Sequence, residues 1–160
     1  MEIAKTLAES LREVLLDGKW VTGTNIKDEI KDLDWKTATM KINSLNSIAD
    51  LTFHMNYYLA GVLQVFEGGE LEIRDKFSFD YQPIESQKEW EQLIDKFSND
   101  AEKFVKAVAH MSNEDLDQDF VKKEYRNYFR NIMLMSEHCY YHLGQIMLIK
   151  KMLNQHEPNN

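Results

Sequence analysis

One cysteine, Cys139, rules out an intramolecular disulfide, and such sparing use of thiols fits a reducing compartment. Two prolines and six glycines are too few for the tight turns of an all-β protein of 160 residues, so the composition leans towards helices. Positive charge is also short. Nineteen bases face 27 acids, a net charge of −8, and this lacks the basic footprint of a nucleic-acid binder or of a protein drawn to an anionic membrane. No apolar run approaches the roughly 18 residues of a spanning helix. Residues 1–10 lack the basic and apolar blocks of a signal peptide. The expectation is a cytoplasmic protein with a single domain over residues 1–160, since 43% apolar and 29% charged residues suit a soluble globular core.

What is present is helical periodicity. Ile3, Leu7, Leu11, Val14 and Leu15 share one face of a first helix predicted over 2–16, which Asp17-Gly18 would end. A long connection, 19–41, carries Ile26, Ile30 and Leu33, enough for one or two short turns. A second helix is predicted over 42–66, with an apolar band so broad that it must be largely buried. The connection 67–85 contains Phe77-Ser78-Phe79-Asp80-Tyr81, whose alternation suggests an extended piece. Ser86 and Glu89 are spaced as a capping box for a third helix over 86–111. Ser112 or Asn113 could cap a further short turn. A fourth helix covers 124–155, followed by a tail at 157–160 expected to fray. The fold class is therefore all-α, a four-helix bundle with two long connections, which leaves a crossover topology open.

The chemistry-bearing residues are histidines. His138 and His142 lie four apart on the fourth helix, separated by roughly 40° around the axis and about 6 Å along it. Two imidazoles at that spacing can chelate one metal ion, or they can stand at the helix surface and bond to water. His54, flanked by Phe53 and Met55 on the second helix, is either a hydrogen-bonded core residue or a third ligand. Three neutral ligands would leave a coordination position open, which suits a reactive site. Asp50 and Tyr58 lie one turn either side of His54, and Asn131 and Gln145 share the face of His138 and His142. Asp50 or Gln145 could accept a hydrogen bond from a ligand's outer ring nitrogen. Asp50 could equally belong to a solvent-facing stripe with Asn43 and Ser47. Gly61 and Gly144 would let the second and fourth helices approach closely. His110 reads as a helix-end cation and His156 as a tail residue. Cys139 points roughly 100° away from His138 and reads as a small core residue.

The segment Glu137-His138-Cys139-Tyr140-Tyr141-His142-Leu143-Gly144-Gln145-Ile146 resembles the His-x-x-x-His-x-Gly-Gln motif of the DinB/YfiT superfamily. Ile48-Ala49-Asp50-Leu51-Thr52-Phe53-His54 is similar to that family's second-helix motif. The resemblance extends over nearly the whole chain. It implies an up-down-down-up bundle, a homodimer, and one zinc, nickel or similar divalent ion held by His54, His138 and His142. Because some relatives are thiol transferases and thiol-dependent isomerases, it also implies a low-molecular-weight thiol as a cofactor. The leading expectation is a metal-dependent enzyme, a thiol S-transferase or hydrolase acting on a small molecule. The rival is a bundle that binds a metal or small ligand without turnover. Neither needs nucleic acid or a membrane as partner.

Overall fold

The computed structural model describes residues 3–156, with side chains up to residue 154. The start of the first helix at residue 2, the tail at 157–160 and the His156 side chain lie outside the described residues. The chain is all-helical, and among the described residues no strand forms. Four long helices, α1 (Ile3–Arg12), α4 (Ile48–Phe66), α5 (Gln87–Ala109) and α7 (Tyr128–His156), correspond to the four expected stretches. Three short ones, α2 (Ile26–Ile30), α3 (Trp35–Thr39) and α6 (Asn113–Asp117), fill the connections. The main packing pairs are α1 with α5 and α7, and α4 with α5 and α7. No helix among the described residues is long and apolar enough to cross a membrane.

The boundaries differ from the periodicity where local hydrogen bonding overrides it. α1 passes into a widened π turn, Glu13–Asp17. Val14, Leu15 and Leu16 are all buried there, and three consecutive residues cannot all face inward from one side of an α-helix. α2 packs against this turn and covers its second side, burying Ile26 and Ile30 completely. The Asn25 side chain caps α2, and that of Asp34 caps α3.

α4 begins at Ile48, not residue 42. Ser47 and Asp50 form a reciprocal capping box, and Asn43 just upstream adopts a positive φ of 52°. The expected extended piece at 77–81 is instead a 3₁₀ turn, Asp75–Phe77, followed by irregular chain. Ser86 caps α5 through the Glu89 amide, while the Glu89 carboxylate accepts from the Glu85 amide and the Ser86 hydroxyl. Ser112 and Asp115 form a second full capping box at α6. α7 starts at Tyr128 because Arg126, with φ 61°, turns the chain, and the Asn127 side chain accepts from the Arg130 amide.

The core lies between α1, α4, α5 and α7. Trp90, Phe97 and Phe104 of α5 are fully buried in it. The Trp90 indole donates to the Leu33 carbonyl at 3.0 Å, so its one polar atom is satisfied. Lys150 of α7 reaches Glu29 of α2 at 2.6 Å.

The two helix glycines do not serve a helix–helix approach. A β-carbon on Gly61 would overlap Ile73 Cγ2, so this glycine seats the crossing segment against α4 rather than α7. Around Gly144 nothing would lie within 4 Å of such a carbon. Gly61→Ala is therefore expected to destabilise by roughly 1–3 kcal/mol through overpacking. Gly144→Ala is expected to stabilise by up to about 1 kcal/mol through helix propensity. Urea denaturation of the two variants checks the opposite signs.

Candidate metal centre

The capping box fixes where α4 starts, and His54 sits two turns inside it. His138 and His142 project from α7 one turn apart. The three rings converge. His138 Nε2 lies 3.1 Å from His54 Nε2 and 2.8 Å from His142 Nε2, and each residue offers one ring nitrogen within 4.8 Å of the others. Nitrogens bound to one tetrahedral ion at about 2.0–2.1 Å stand roughly 3.3 Å apart, close to the separations here. His54 and His142 are buried, and His138 is half-buried.

The outer nitrogens fix the tautomers. His54 Nδ1 faces the Ser78 carbonyl at 3.3 Å, and a carbonyl only accepts, so Nδ1 donates and Nε2 carries a lone pair. His142 Nδ1 donates to Gln145 Oε1 at 2.6 Å, while Gln145 Nε2 donates to the Tyr141 hydroxyl at 3.2 Å. Two lone pairs therefore point at His138 Nε2, which has at most one hydrogen to offer. Hydrogen bonding satisfies one of them and leaves the other facing a nitrogen with nothing to give. One cation at the centre satisfies all three.

Burial pushes all three imidazoles towards the neutral form. For His138 burial acts first, then the neighbouring His142 and His54, and its pKa falls to about 4. Burial and His142 lower His54, and burial lowers His142 against the raising effect of Gln145. At neutral pH the three are uncharged and able to donate lone pairs.

Aromatic side chains enclose the cluster. Phe79 stacks on His54 with centroids 4.3 Å apart and planes 13° apart. Tyr58 presents its edge to His54 at 5.1 Å and to His138 at 5.4 Å, and its hydroxyl donates to Asp75 at 2.7 Å. Burial, and then that carboxylate, push the Tyr58 phenol up to about 12.

The four residues expected around the ligands separate. Gln145 holds His142, and Tyr58 packs on two of the rings. Asp50 is buried, not in a solvent-facing stripe, and its partners are the Ser47 amide at 2.8 Å, the Tyr81 hydroxyl at 2.8 Å and Lys41 at 3.1 Å. The outer partner of His54 is instead the Ser78 carbonyl. Asn131 gives its amide hydrogens to the Tyr125 and Asn127 carbonyls at 2.6 and 2.9 Å, which ties the preceding loop to α7. Cys139 is fully buried, and burial pushes its thiol up to about 12, as suits an inert core residue. His110 bonds the Lys106 carbonyl at 2.7 Å at the end of α5.

Sequence reasoning missed Ser78, Asp75, Phe79 and Tyr141. Gln145→Leu removes the acceptor that orients His142 and should weaken metal binding by roughly 10–100-fold. Competition against a chromophoric chelator reads this directly, and an unchanged affinity would remove Gln145 from the site.

Fold and site together define a helical protein whose three clustered histidines are able to hold a metal ion. The chain belongs to the family described as "Protein of unknown function (DUF1572)", whose model matches residues 3–159. No curated protein and no solved structure matches the chain.

Proposed function

We propose that the protein is a metal-dependent enzyme of the DinB/YfiT type, in which His54, His138 and His142 hold one divalent transition ion, zinc or nickel. The observation that carries this reading is the convergence of the His54, His138 and His142 Nε2 atoms, with the outer nitrogens of His54 and His142 engaged by Ser78 and Gln145. Imidazole is a ligand suited to both ions. The packing of α1 and α4 against both α5 and α7 supports a four-helix bundle, for which the resemblance implies an up-down-down-up course.

When bound, such an ion lowers the pKa of a thiol or water that joins it. The chain supplies the rest. Gln145 and the Ser78 carbonyl keep the His142 and His54 rings in the tautomer that presents Nε2. Phe79 and Tyr58 cover ring faces and edges and limit water at that flank, with Asp75 holding Tyr58 in place. The reaction we favour is transfer of a low-molecular-weight thiol to a small electrophile in the cytoplasm by a homodimer. Hydrolysis of a small molecule is the alternative use of the same ligand set.

Elemental analysis of dialysed protein should find about one ion per chain, consistent with a single three-histidine cluster. Loss of all metal on dialysis would sink the reading. Cobalt-substituted protein then separates the chemistries. A sulfur-to-cobalt charge-transfer band on adding a small thiol supports the transferase. A spectrum that titrates with hydroxide alone supports the hydrolase, and binding without turnover of any acceptor leaves a metal- or ligand-binding bundle.

A further inference from the structure

A cavity of about 370 Å³ opens directly beside the cluster, with His138 as one wall. Leu134 and Met135 of α7 and Val62 of α4 also line it. Leu71 and Ile73 close one side, and Ile73 reaches in because Gly61 leaves room for it. Phe120 and Tyr125 close the other side from the loop 118–127. That loop holds a costly conformation. Val121, β-branched, has φ 59°, and Arg126 has φ 61°. The Phe120 amide bonds the Arg126 carbonyl at 2.7 Å, and the Lys122 amide bonds the Phe120 carbonyl at 2.6 Å, which pins the turn. Strain of this kind persists where surrounding contacts enforce it, and here it carries the two aromatic walls.

The lining holds no lysine, arginine, aspartate or glutamate. The polar groups at its edge, Tyr58, Tyr125 and Asn131, are neutral. In the metal-free chain a charged group entering this space would lose its water without gaining a counter-charge from the lining. The volume is at the low end of the range for small-molecule pockets.

We infer that this cavity is the acceptor site of the reaction proposed above, and that it takes the uncharged, apolar part of a small electrophile, aromatic or branched aliphatic, with the reacting atom turned towards His138. The inference rests on the metal-site reading for its chemistry, but the pocket's preference for neutral apolar groups does not depend on an ion being bound. Specificity lies in Leu71, Ile73, Phe120 and Leu134, and the metal-free pocket excludes anionic or cationic homologues of the same shape.

The test uses the full chain with methyl labelling and three probes of one shape: 2-naphthol, 2-naphthoate and 2-naphthylmethylammonium. Saturable shifts of the Val62, Leu71, Ile73 and Leu134 methyls are expected with 2-naphthol. Measured on the metal-free chain, the two charged probes should bind more weakly by roughly tenfold or more. Leu134 is 43% exposed, so Leu134→Glu should fold and should weaken 2-naphthol by a similar factor. Leu148→Glu, on the same helix and 57% exposed, lies outside the cavity and should bind as the parent does. The inference is overturned if 2-naphthol leaves these methyls unmoved, or if the charged probes bind equally well. Running the titration on His142→Ala and on the parent, with metal analysis of both, separates the two ideas. Probe binding without metal would sustain the pocket alone, and metal without probe binding would sustain the centre alone.

Discussion

His142→Ala is expected to abolish stoichiometric metal binding while leaving the helical fold intact. Loss of an outer partner such as Gln145 costs roughly 10–100-fold in affinity, and loss of a ligand should exceed that by a wide margin. Two donors would remain, from helices that no longer share a third anchor. Stability of the metal-free chain should change little. His142 is buried, and its removal relieves the one unmatched lone pair at His138 Nε2, which offsets the lost packing. The metal-free variant should therefore lie within about 1 kcal/mol of the metal-free parent in urea. Titration calorimetry with zinc reads the first effect, and retained tight binding would show that His142 is not a ligand. Cys139→Ser should leave metal binding and any thiol transfer intact, because that sulfur is buried in the core.

Metal removal should lower the melting temperature without unfolding the chain. An ion present at a thousand times its Kd stabilises the state that binds it by about 4 kcal/mol. For a chain of this size roughly 2–4 °C accompany each kcal/mol, so chelation should lower Tm by roughly 8–16 °C. The extensive apolar core, centred on Trp90, Phe97 and Phe104, is what keeps the metal-free chain folded. Complete unfolding by a chelator would contradict this, as would an unchanged melting curve after measured metal loss. The metal-free chain should also be acid-sensitive over a defined window. His138 has a pKa of about 4 when folded against an ordinary 6.5. Between these values the unfolded chain takes up a proton that the folded chain does not, so stability is full above about 6.5 and falls as the pH drops towards 4. His54 and His142 shift in the same direction and steepen the loss. Melting curves from pH 7.5 to 4.5 check the slope.

The histidine cluster was legible in part: His138 and His142 by their i,i+4 spacing, and His54, which alone could be a core residue, by the pair on the neighbouring helix. Gln145 was legible for the same reason, three positions from His142 on one face. The rest of the surroundings was not. Ser78 contributes a backbone carbonyl, which any residue could provide, so no side-chain pattern marks it. Phe79 and Asp75 belong to an irregular segment whose path is set by contacts with α4, and alternation of apolar residues there suggested an extended piece. The role of Asp50, left open between two readings, was not legible because capping by Ser47 depends on where the helix begins, and apolar periodicity ran straight through that point. The long helices were read from periodicity, and Ile26, Ile30 and Leu33 pointed to short turns in 19–41, whose limits are set by the caps Asn25 and Asp34.

The segment that crosses beside α4 is fastened by phenol groups. The Tyr57 hydroxyl donates to the Arg74 carbonyl and accepts from the Arg74 amide, Tyr58 bonds Asp75, and Tyr81 bonds Asp50. Most of these bonds are solvent-accessible, and among the described residues the segment has no regular structure beyond one 3₁₀ turn. It can therefore open as a local unit while the helices stay packed. Opening would withdraw the Ser78 carbonyl and the Phe79 ring from His54 together, uncovering one flank of the histidine cluster. In hydrogen-exchange terms, amides near Arg74–Ser78 should exchange as a group, ahead of those in α4, and the residence time of the ion should follow that opening rate. The strength of binding would then be set by three histidines, and its speed by a loop that supplies none of them.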